Sequence, residues 1–170
     1  TPTVTASSTS PCGNSTTLSA GSFAYPTNTG EWTYTGPGTA TFTAPNLPVT
    51  DVTVNVYGDY TFTWHEYYMG NETCTGDASV NVNFARIMNA TLASVDNCCR
   101  SASVIQLSAQ DFGTLTCTPS SAAFDTDARN FTPSLANPGR YTITNTINGE
   151  RCANPATSSV SFDIYDEIVI

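Results

Sequence analysis

The adjacent residues His65 and Glu66 are the one place in the sequence that suggests acid–base chemistry. Histidine titrates near neutral pH, and a neighbouring carboxylate can serve as a proton-transfer partner. His65 follows Thr61 and Thr63 in an alternating run, however, so it is expected on the solvent side of a strand. The sequence places no nucleophile beside it. We therefore expect a solvated histidine and a protein that is not an enzyme.

Three acidic stretches could offer carboxylate oxygens to calcium. They are the pair Asp125 and Asp127, the pair Asp166 and Glu167, and Asp51, which is expected near the end of a strand layer. A calcium loop needs six or more oxygen ligands, and none of these stretches supplies a full set. Solvated carboxylates are the favoured interpretation. We expect no cofactor, with calcium as the alternative.

Tyr67 and Tyr68 are candidate contacts for a glycan. An aromatic face can stack on the apolar face of a sugar ring, and residues 67–76 are expected to form a long exposed loop that contains Cys74. The competing interpretation is that both rings pack over this loop or against a neighbouring domain. Packing is favoured, and carbohydrate binding remains the alternative function.

The spacing of the cysteines favours disulfides over a metal site, because no C-x-x-C motif is present. Disulfides indicate an oxidising compartment outside the cytoplasm. Within the first half of the chain, Cys12 is expected to pair with Cys74. The six cysteines are Cys12, Cys74, Cys98, Cys99, Cys117 and Cys152.

In the second half of the chain two pairings are open. Either Cys98 or Cys99 is expected to bond to Cys152, and the remaining one of the two to Cys117. Alternatively, the adjacent pair Cys98 and Cys99 bonds outside the chain.

Composition excludes several classes of partner. The chain has 14 acidic and 5 basic residues, a net charge of -9, and no lysine. Such a chain lacks the basic surface that nucleic acids and anionic membranes require. No apolar run reaches the length of a membrane span. Isopeptide cross-links between lysine and asparagine are chemically impossible here.

Residues 52–64 organise the fold. Val52, Val54 and Val56 alternate with polar residues, and a second alternation begins at Tyr60, after Gly58 and Asp59. A strand, a tight glycine corner and an aromatic strand are typical of a chain passing between the two sheets of a β-sandwich. Tyr60 is expected to be a corner tyrosine, with its hydroxyl bonded to the loop backbone. No amphipathic helix is predicted, so the fold class is all-β.

A weaker copy of this region follows later in the chain. Residues 139–144 (GRYTIT) match residues 58–63 (GDYTFT), and residues 160–164 match residues 80–84. The period is roughly 80 to 85 residues, the size of a seven-stranded sandwich.

The chain is therefore predicted to form two tandem Ig-like or PKD-like antiparallel β-sandwich domains, 1–85 and 86–170. The junction around Ala85 lacks a run of Gly, Ser or Pro, and such short junctions favour a stiff rod.

Several motifs of the first domain resemble the PKD-like and Ig-like repeats of large secreted Bacteroidetes surface proteins. They are residues 30–32 (GEW), 36–42 (GPGTATF), 46–48, 58–64 (GDYTFTW) and Cys74. Proteins with these repeats include gliding-motility adhesins exported by the type IX pathway. The second domain matches only over residues 139–164. The resemblance implies an extracellular spacer or adhesive module at the cell surface.

The leading functional hypothesis is thus a disulfide-stapled structural segment or subunit of a bacterial filament or long adhesin. Its expected partners are neighbouring copies or adjacent domains of the same surface protein, with surface glycans as the alternative. The apolar residues Ile168, Val169 and Ile170 are expected to be the start of a further strand, or a strand donated to a neighbouring subunit.

Overall fold

The computed structural model describes residues 2–21, 23, 26–69 and 71–167, with only the backbone of residues 71–74. The chain divides into two compact units, Thr1–Arg86 and Ile87–Ile170, one residue beyond the predicted boundary. Nearly all regular structure is β, and within the described ranges no helix is long and apolar enough to cross a bilayer. The predicted strand at 168–170 lies outside these ranges.

The described residues of the first unit form seven strands in two sheets, and each pair of these strands is antiparallel. One sheet has the order β1-β2-β5-β4 and the other the order β3-β6-β7. The strands are β1 (Val4–Ala6), β2 (Ser15–Ala20), β3 (Thr29–Thr35), β4 (Ala40–Phe42), β5 (Val49–Val54), β6 (Gly58–Tyr68) and β7 (Asn71–Phe84).

The second unit also has two sheets, of order β10-β13-β14-β8 and β11-β12-β9. Only the β14–β8 pair is parallel among the pairs of named strands in this unit. A short 3₁₀ helix at Pro133–Leu135 precedes β13. The strands are β8 (Cys98–Cys99), β9 (Ile105–Gln106), β10 (Thr114–Thr118), β11 (Phe124–Asp125), β12 (Asn130–Phe131), β13 (Gly139–Thr146) and β14 (Thr157–Tyr165).

In each unit the inward residues of both sheets form one core. In the first, Leu18 and Val52 from one sheet meet Phe62 and Trp64 from the other, and all four are fully buried. They alternate with outward polar residues, as a strand with one buried face requires. The second unit has its own core of the same kind, which includes Phe131 from one sheet and Ile143, Tyr141, Phe162 and Ile164 from the other. Each unit is therefore an Ig-like two-sheet sandwich, which confirms the predicted fold class.

The predicted corner in the first unit is confirmed. The chain leaves one sheet at the end of β5 and enters the other at the start of β6. Gly58 has φ +136°, in the positive region that favours glycine. The Tyr60 hydroxyl donates a hydrogen bond of 2.9 Å to the Val56 carbonyl oxygen, four residues earlier. The ring is buried, so this bond closes the corner from inside the core.

The second unit repeats the corner at the aligned residues. The Tyr141 hydroxyl donates a hydrogen bond of 3.0 Å to the carbonyl oxygen of Asn137, again four residues earlier. Gly139, which aligns with Gly58, has φ +145°. The sequence repeat therefore corresponds to a repeated structural device.

The predicted long loop at 67–76 is wrong. Strand β6 continues to Tyr68 and β7 begins at Asn71, with a register shift beside Tyr67. The two strands extend their ladder because Thr and Tyr residues in this region suit paired, half-exposed positions. Tyr67 and Tyr68 accordingly belong to a strand.

Candidate functional site

The outward face of the β3-β6-β7 sheet collects the polar residues that could do chemistry. We call it the polar face of the first unit. The strand register sets its side chains in cross-strand rows: Glu31–His65–Asp77, Thr33–Thr63–Ser79 and Thr35–Thr61–Asn81.

His65 makes two hydrogen bonds on the polar face. Its Nδ1 lies 2.8 Å from an Asp77 carboxylate oxygen, and its Nε2 lies 2.8 Å from the Thr33 hydroxyl. The order of hydroxyl, imidazole and carboxylate is that of a nucleophile–base–acid triad. The sequence pointed to His65 but not to Thr33 or Asp77, because only the strand register brings the three together.

Strand geometry determines which hydrogen-bond donors lie near the Thr33 hydroxyl. Acyl transfer at Thr33 would need N–H donors aimed above the sheet, where the carbonyl of a substrate would lie. Backbone N–H groups of a strand lie in the plane of the sheet, whereas its side chains stand perpendicular to that plane. At the edge of β3 the neighbouring N–H of Trp32 donates to the Pro45 carbonyl oxygen at 2.8 Å. The two His65 hydrogen bonds link β6 to β3 through Thr33 and to β7 through Asp77.

Glu66 does not share a site with His65. It lies on the opposite side of β6 and is 6% exposed. The Asn28 side-chain amide donates a hydrogen bond of 2.6 Å to Glu66 Oε1, and Asn28 in turn accepts one from the Met69 backbone. The Glu66 carboxylate therefore stabilises the part of the first unit where β6 ends, and it does not lie beside the His65 imidazole.

Tyr67 and Tyr68 also point to opposite sides of β6, so they do not form one stacking platform. Tyr67 lies on the polar face, where its hydroxyl donates a hydrogen bond of 2.5 Å to Glu31. Tyr68 lies beyond the core with 46% of its surface exposed, next to Met69 at 63%. Of the two, Tyr68 presents the more accessible ring.

The carboxylates proposed for calcium have local partners. One oxygen of Asp125 accepts hydrogen bonds of 2.9 Å from the backbone N–H groups of Asp127 and Ala128, which form a turn. Asp51 accepts a 2.6 Å bond from the Thr17 hydroxyl.

Asp166 lies 3.7 Å from the Arg100 guanidinium, and both side chains are well exposed. In the part of the chain that the structure covers, no group of three or more His, Cys, Asp or Glu side chains is arranged to hold a metal ion.

The cysteines differ from the prediction. Cys12 and Cys152 are disulfide-bonded, whereas Cys98, Cys99 and Cys117 are free thiols. The predicted bonds of the second unit are therefore wrong. Cys98 and Cys99 lie on β8 and Cys117 on β10, at opposite edges of one sheet. Three strand spacings, about 14 Å, separate these edges, and disulfides need Cα atoms within about 7 Å.

The distance along β14 excludes the other predicted bond. Cys98 is paired with Ile164 near the end of this strand, whereas Cys152 precedes the start of the strand at Thr157. Seven residues of extended chain span about 23 Å.

A similar argument excludes the predicted bond between Cys12 and Cys74. Cys12 is bridged to Ala85, just beyond β7. The backbone of Cys74 lies eleven residues earlier along this extended strand, about 36 Å away. The side chain of Cys74 is outside the described residues.

The free thiols differ in their surroundings. Burial raises the pKa of the Cys98 thiol, and the neighbouring Cys99 thiol raises it further. Burial alone raises the pKa of Cys117. Cys99 is exposed. Both half-buried thiols therefore stay protonated to a higher pH than an ordinary cysteine.

The outward face of the second unit resembles the polar face of the first. The hydroxyls of Thr142 and Ser161 lie 2.8 Å apart across β13 and β14, as do those of Thr144 and Ser159. In the first unit Thr63 and Ser79 make the equivalent contact at 2.8 Å. Both units thus use short hydroxyl side chains to link the outer surfaces of neighbouring strands.

No protein-family model matches the chain, and neither does any curated protein sequence. The N-terminal four Ig domains of Dscam1 isoform 9.44 give a TM-score of 0.44 at 11% identity, over 98% of this chain and 45% of that one. The zebrafish RET cadherin-like domains 1 to 4 give 0.28 at 4% identity, over 98% and 51%.

SGBP-B of the Bacteroides ovatus mixed-linkage glucan utilization locus, solved with a mixed-linkage heptasaccharide, gives a TM-score of 0.25 at 14% identity, over 94% of this chain and 44% of that one. The chain thus spans about half the length of the solved structures that it resembles. At these scores the likenesses carry no argument about what this chain binds.

Proposed function

We propose that this chain is an extracellular structural and adhesive module, a stiff, disulfide-stapled segment or subunit of a bacterial surface filament or long adhesin. The observation that supports this most is the repetition of one scaffold. Tyr60 and Tyr141 close equivalent corners with equivalent hydrogen bonds. A spacer needs such repetition, because each copy adds length while keeping the same internal contacts.

The bonded cysteines support the extracellular part of the proposal. Cys12 and Cys152 are both disulfide-bonded, and structural disulfides persist mainly in oxidising compartments. The resemblance of residues 58–64 to Bacteroidetes surface repeats supports a cell-surface location in particular.

The surface chemistry suits a module that contacts its neighbours through limited areas. Beside the row Glu31–His65–Asp77, threonine, serine and asparagine side chains keep the polar face hydrated, and they bond to one another across the strands. Short side chains lose little rotamer freedom when they are held this way. We propose neighbouring copies as the partners, joined when residues 168–170 of one copy add as a strand to a sheet edge of the next.

Immunogold electron microscopy of intact source cells tests this function. An antibody against the chain should label long surface fibres along their length, without permeabilising the cells. Gold that appears only after permeabilisation would contradict the proposal, because the chain would then lie inside the cell.

Carbohydrate binding is a second candidate, and the exposed ring of Tyr68 is the observation that favours it. Tyr68→Ala should abolish retention on a polysaccharide column while leaving the melting temperature nearly unchanged. Tyr57→Ala is the matched control, since Tyr57 is 44% exposed and lies in the loop after β5. Equal retention of both variants and the parent chain would rule out binding through Tyr68.

A further inference from the structure

Strand β8 consists of two consecutive cysteines at a sheet edge. Cys98 pairs with Ile164 and Cys99 with Tyr165, and none of the described strands pairs with β8 on its other side. One hydrogen bond lies at each end of this two-residue ladder. The Asp163 N–H donates to the Asn97 side-chain oxygen at 2.8 Å, and the Arg100 N–H donates to the Tyr165 carbonyl oxygen at 3.1 Å. The attachment of β8 to the sheet is therefore small.

The two thiols point to opposite sides of the sheet, as successive residues of a strand must. Cys98 packs against the core of the second unit, and Cys99 is exposed. A bond between the two sulfur atoms is incompatible with this extended conformation. The strand and the bond are mutually exclusive states of the same two residues.

We propose that Cys98 and Cys99 form a redox switch in which oxidation to a vicinal disulfide releases β8 from β14. The oxidant is a small-molecule disulfide. The Cys99 thiolate attacks one of its sulfur atoms and expels one thiolate, which leaves a mixed disulfide on Cys99. The Cys98 thiolate then attacks Cys99 Sγ and expels the second thiolate. The protein loses two electrons and two protons, and the small disulfide is reduced to two thiols.

Geometry favours this pair over the other free thiol among the described side chains. Cys117 lies at the far edge of the same sheet, about 14 Å away, beyond the reach of a disulfide. Consecutive Cα atoms are about 3.8 Å apart, below the usual range for disulfides, so the bond stores strain and is easily reduced. An easily reduced bond is suited to switching, whereas an unstrained one would act as a permanent staple.

Peptide mass spectrometry across a series of thiol–disulfide buffers tests the chemistry on the full chain. Trypsin cleaves this lysine-free chain only after arginine, so residues 87–100 form one peptide that contains Cys98 and Cys99 and no other cysteine. In oxidising buffer we expect this peptide to be lighter by two hydrogens, and to regain them under mild reduction while Cys12 and Cys152 remain bonded. Recovery of the peptide as dithiol, or joined to a second peptide, would overturn the proposal.

Hydrogen exchange tests the conformational half of the switch. Oxidation should speed exchange of the Asp163 and Arg100 amides by about tenfold or more, since both lose their acceptors, while the Ile143 amide in β13 stays unchanged. Cys117→Ser should behave like the parent chain, and the exposed-site variant Cys99→Ser should show neither effect. A vicinal disulfide that forms with unchanged exchange at Asp163 and Arg100 would also overturn the proposal.

Discussion

At the scale of single residues, two hydroxyl groups hold equivalent corners in the two units. We predict that Tyr60→Phe and Tyr141→Phe each lower the free energy of unfolding by about 1 kcal/mol, the usual net value of one hydrogen bond. Chemical denaturation followed by circular dichroism measures the loss. Tyr57→Phe is the control, because that side chain is exposed. A loss at one corner without a loss at the other would contradict their equivalence.

Asn145 is a second residue whose side-chain hydrogen bonds hold nearby backbone segments in place. It takes the place that Trp64 has in the first unit, and it is fully buried. Its amide nitrogen donates 2.8 Å bonds to the carbonyl oxygens of Ala90 and Asp111, and its oxygen accepts one of 2.8 Å from the Gly113 N–H. One side chain thus satisfies three backbone groups.

We predict that Asn145→Leu lowers the free energy of unfolding by about 3 kcal/mol or more, because three buried backbone groups lose their partners. Urea denaturation measures the change, and Asn148→Leu at an exposed position is the control. A loss no larger than that of the control would show that the three bonds contribute little.

Tyr60 and Asn145 also show which structural roles can be predicted from a sequence and which cannot. The role of Tyr60 was predictable, because its corner is local: the glycine, the tyrosine and the carbonyl acceptor lie within five residues of one another. The role of Asn145 was not, because Ala90 and Asp111 are brought to it by folding from 55 and 34 positions away.

At the scale of elements, the register of β3, β6 and β7 accounts for the triad-like bonds of His65. We predict that His65→Ala lowers stability by about 1 kcal/mol or less, as expected for an exposed cross-strand pair. A nitrophenyl ester assay should give the same background rate for both proteins. Ester hydrolysis by the parent chain that is lost in His65→Ala would contradict a purely structural role.

The position of each cysteine in its strand determines how buried its thiol is, and burial determines how readily the thiol reacts. We predict that at pH 8 Ellman's reagent labels Cys99 first, and that Cys98 and Cys117 react only as the pH rises further, because burial raises the pKa of both thiols. The pKa of each of these thiols is higher in the folded state than in the unfolded state, where it is about 8.5. The protonated thiols therefore contribute to folding stability at pH values below the unfolded pKa, and this stability is lost as the pH rises through the folded pKa. Fast labelling of all three thiols at pH 8 would contradict the prediction.

Strand positions and strand pairing were not equally predictable. The alternating pattern of residues 52–64 identified β5, β6 and the crossing between sheets, because a period of two is written in the sequence itself. The cysteine pairing was not predictable, because it depends on sheet order: a bond from Cys98 or Cys99 to Cys117 was predicted, yet the sheet places these residues at opposite edges.

At the scale of the whole molecule, the repeat in the sequence was sufficient to predict two units. Residues 139–144 match residues 58–63, and the period predicted a boundary at 85/86, one residue before the division after Arg86. Composition also indicated the all-β class. What two sandwiches bind could not be predicted, because one scaffold supports many functions through differences in its surface.

Electron microscopy of the purified natural material at dilute concentration tests the central claim most directly. The proposed role as a structural segment or subunit predicts filaments or long fibres, along which a two-unit repeat recurs at a regular spacing. If residues 168–170 add to a sheet of a neighbouring copy, as proposed, their deletion should shorten or abolish the filaments. Discrete particles that remain separate at every concentration, with no longer protein attached, would contradict the proposed function.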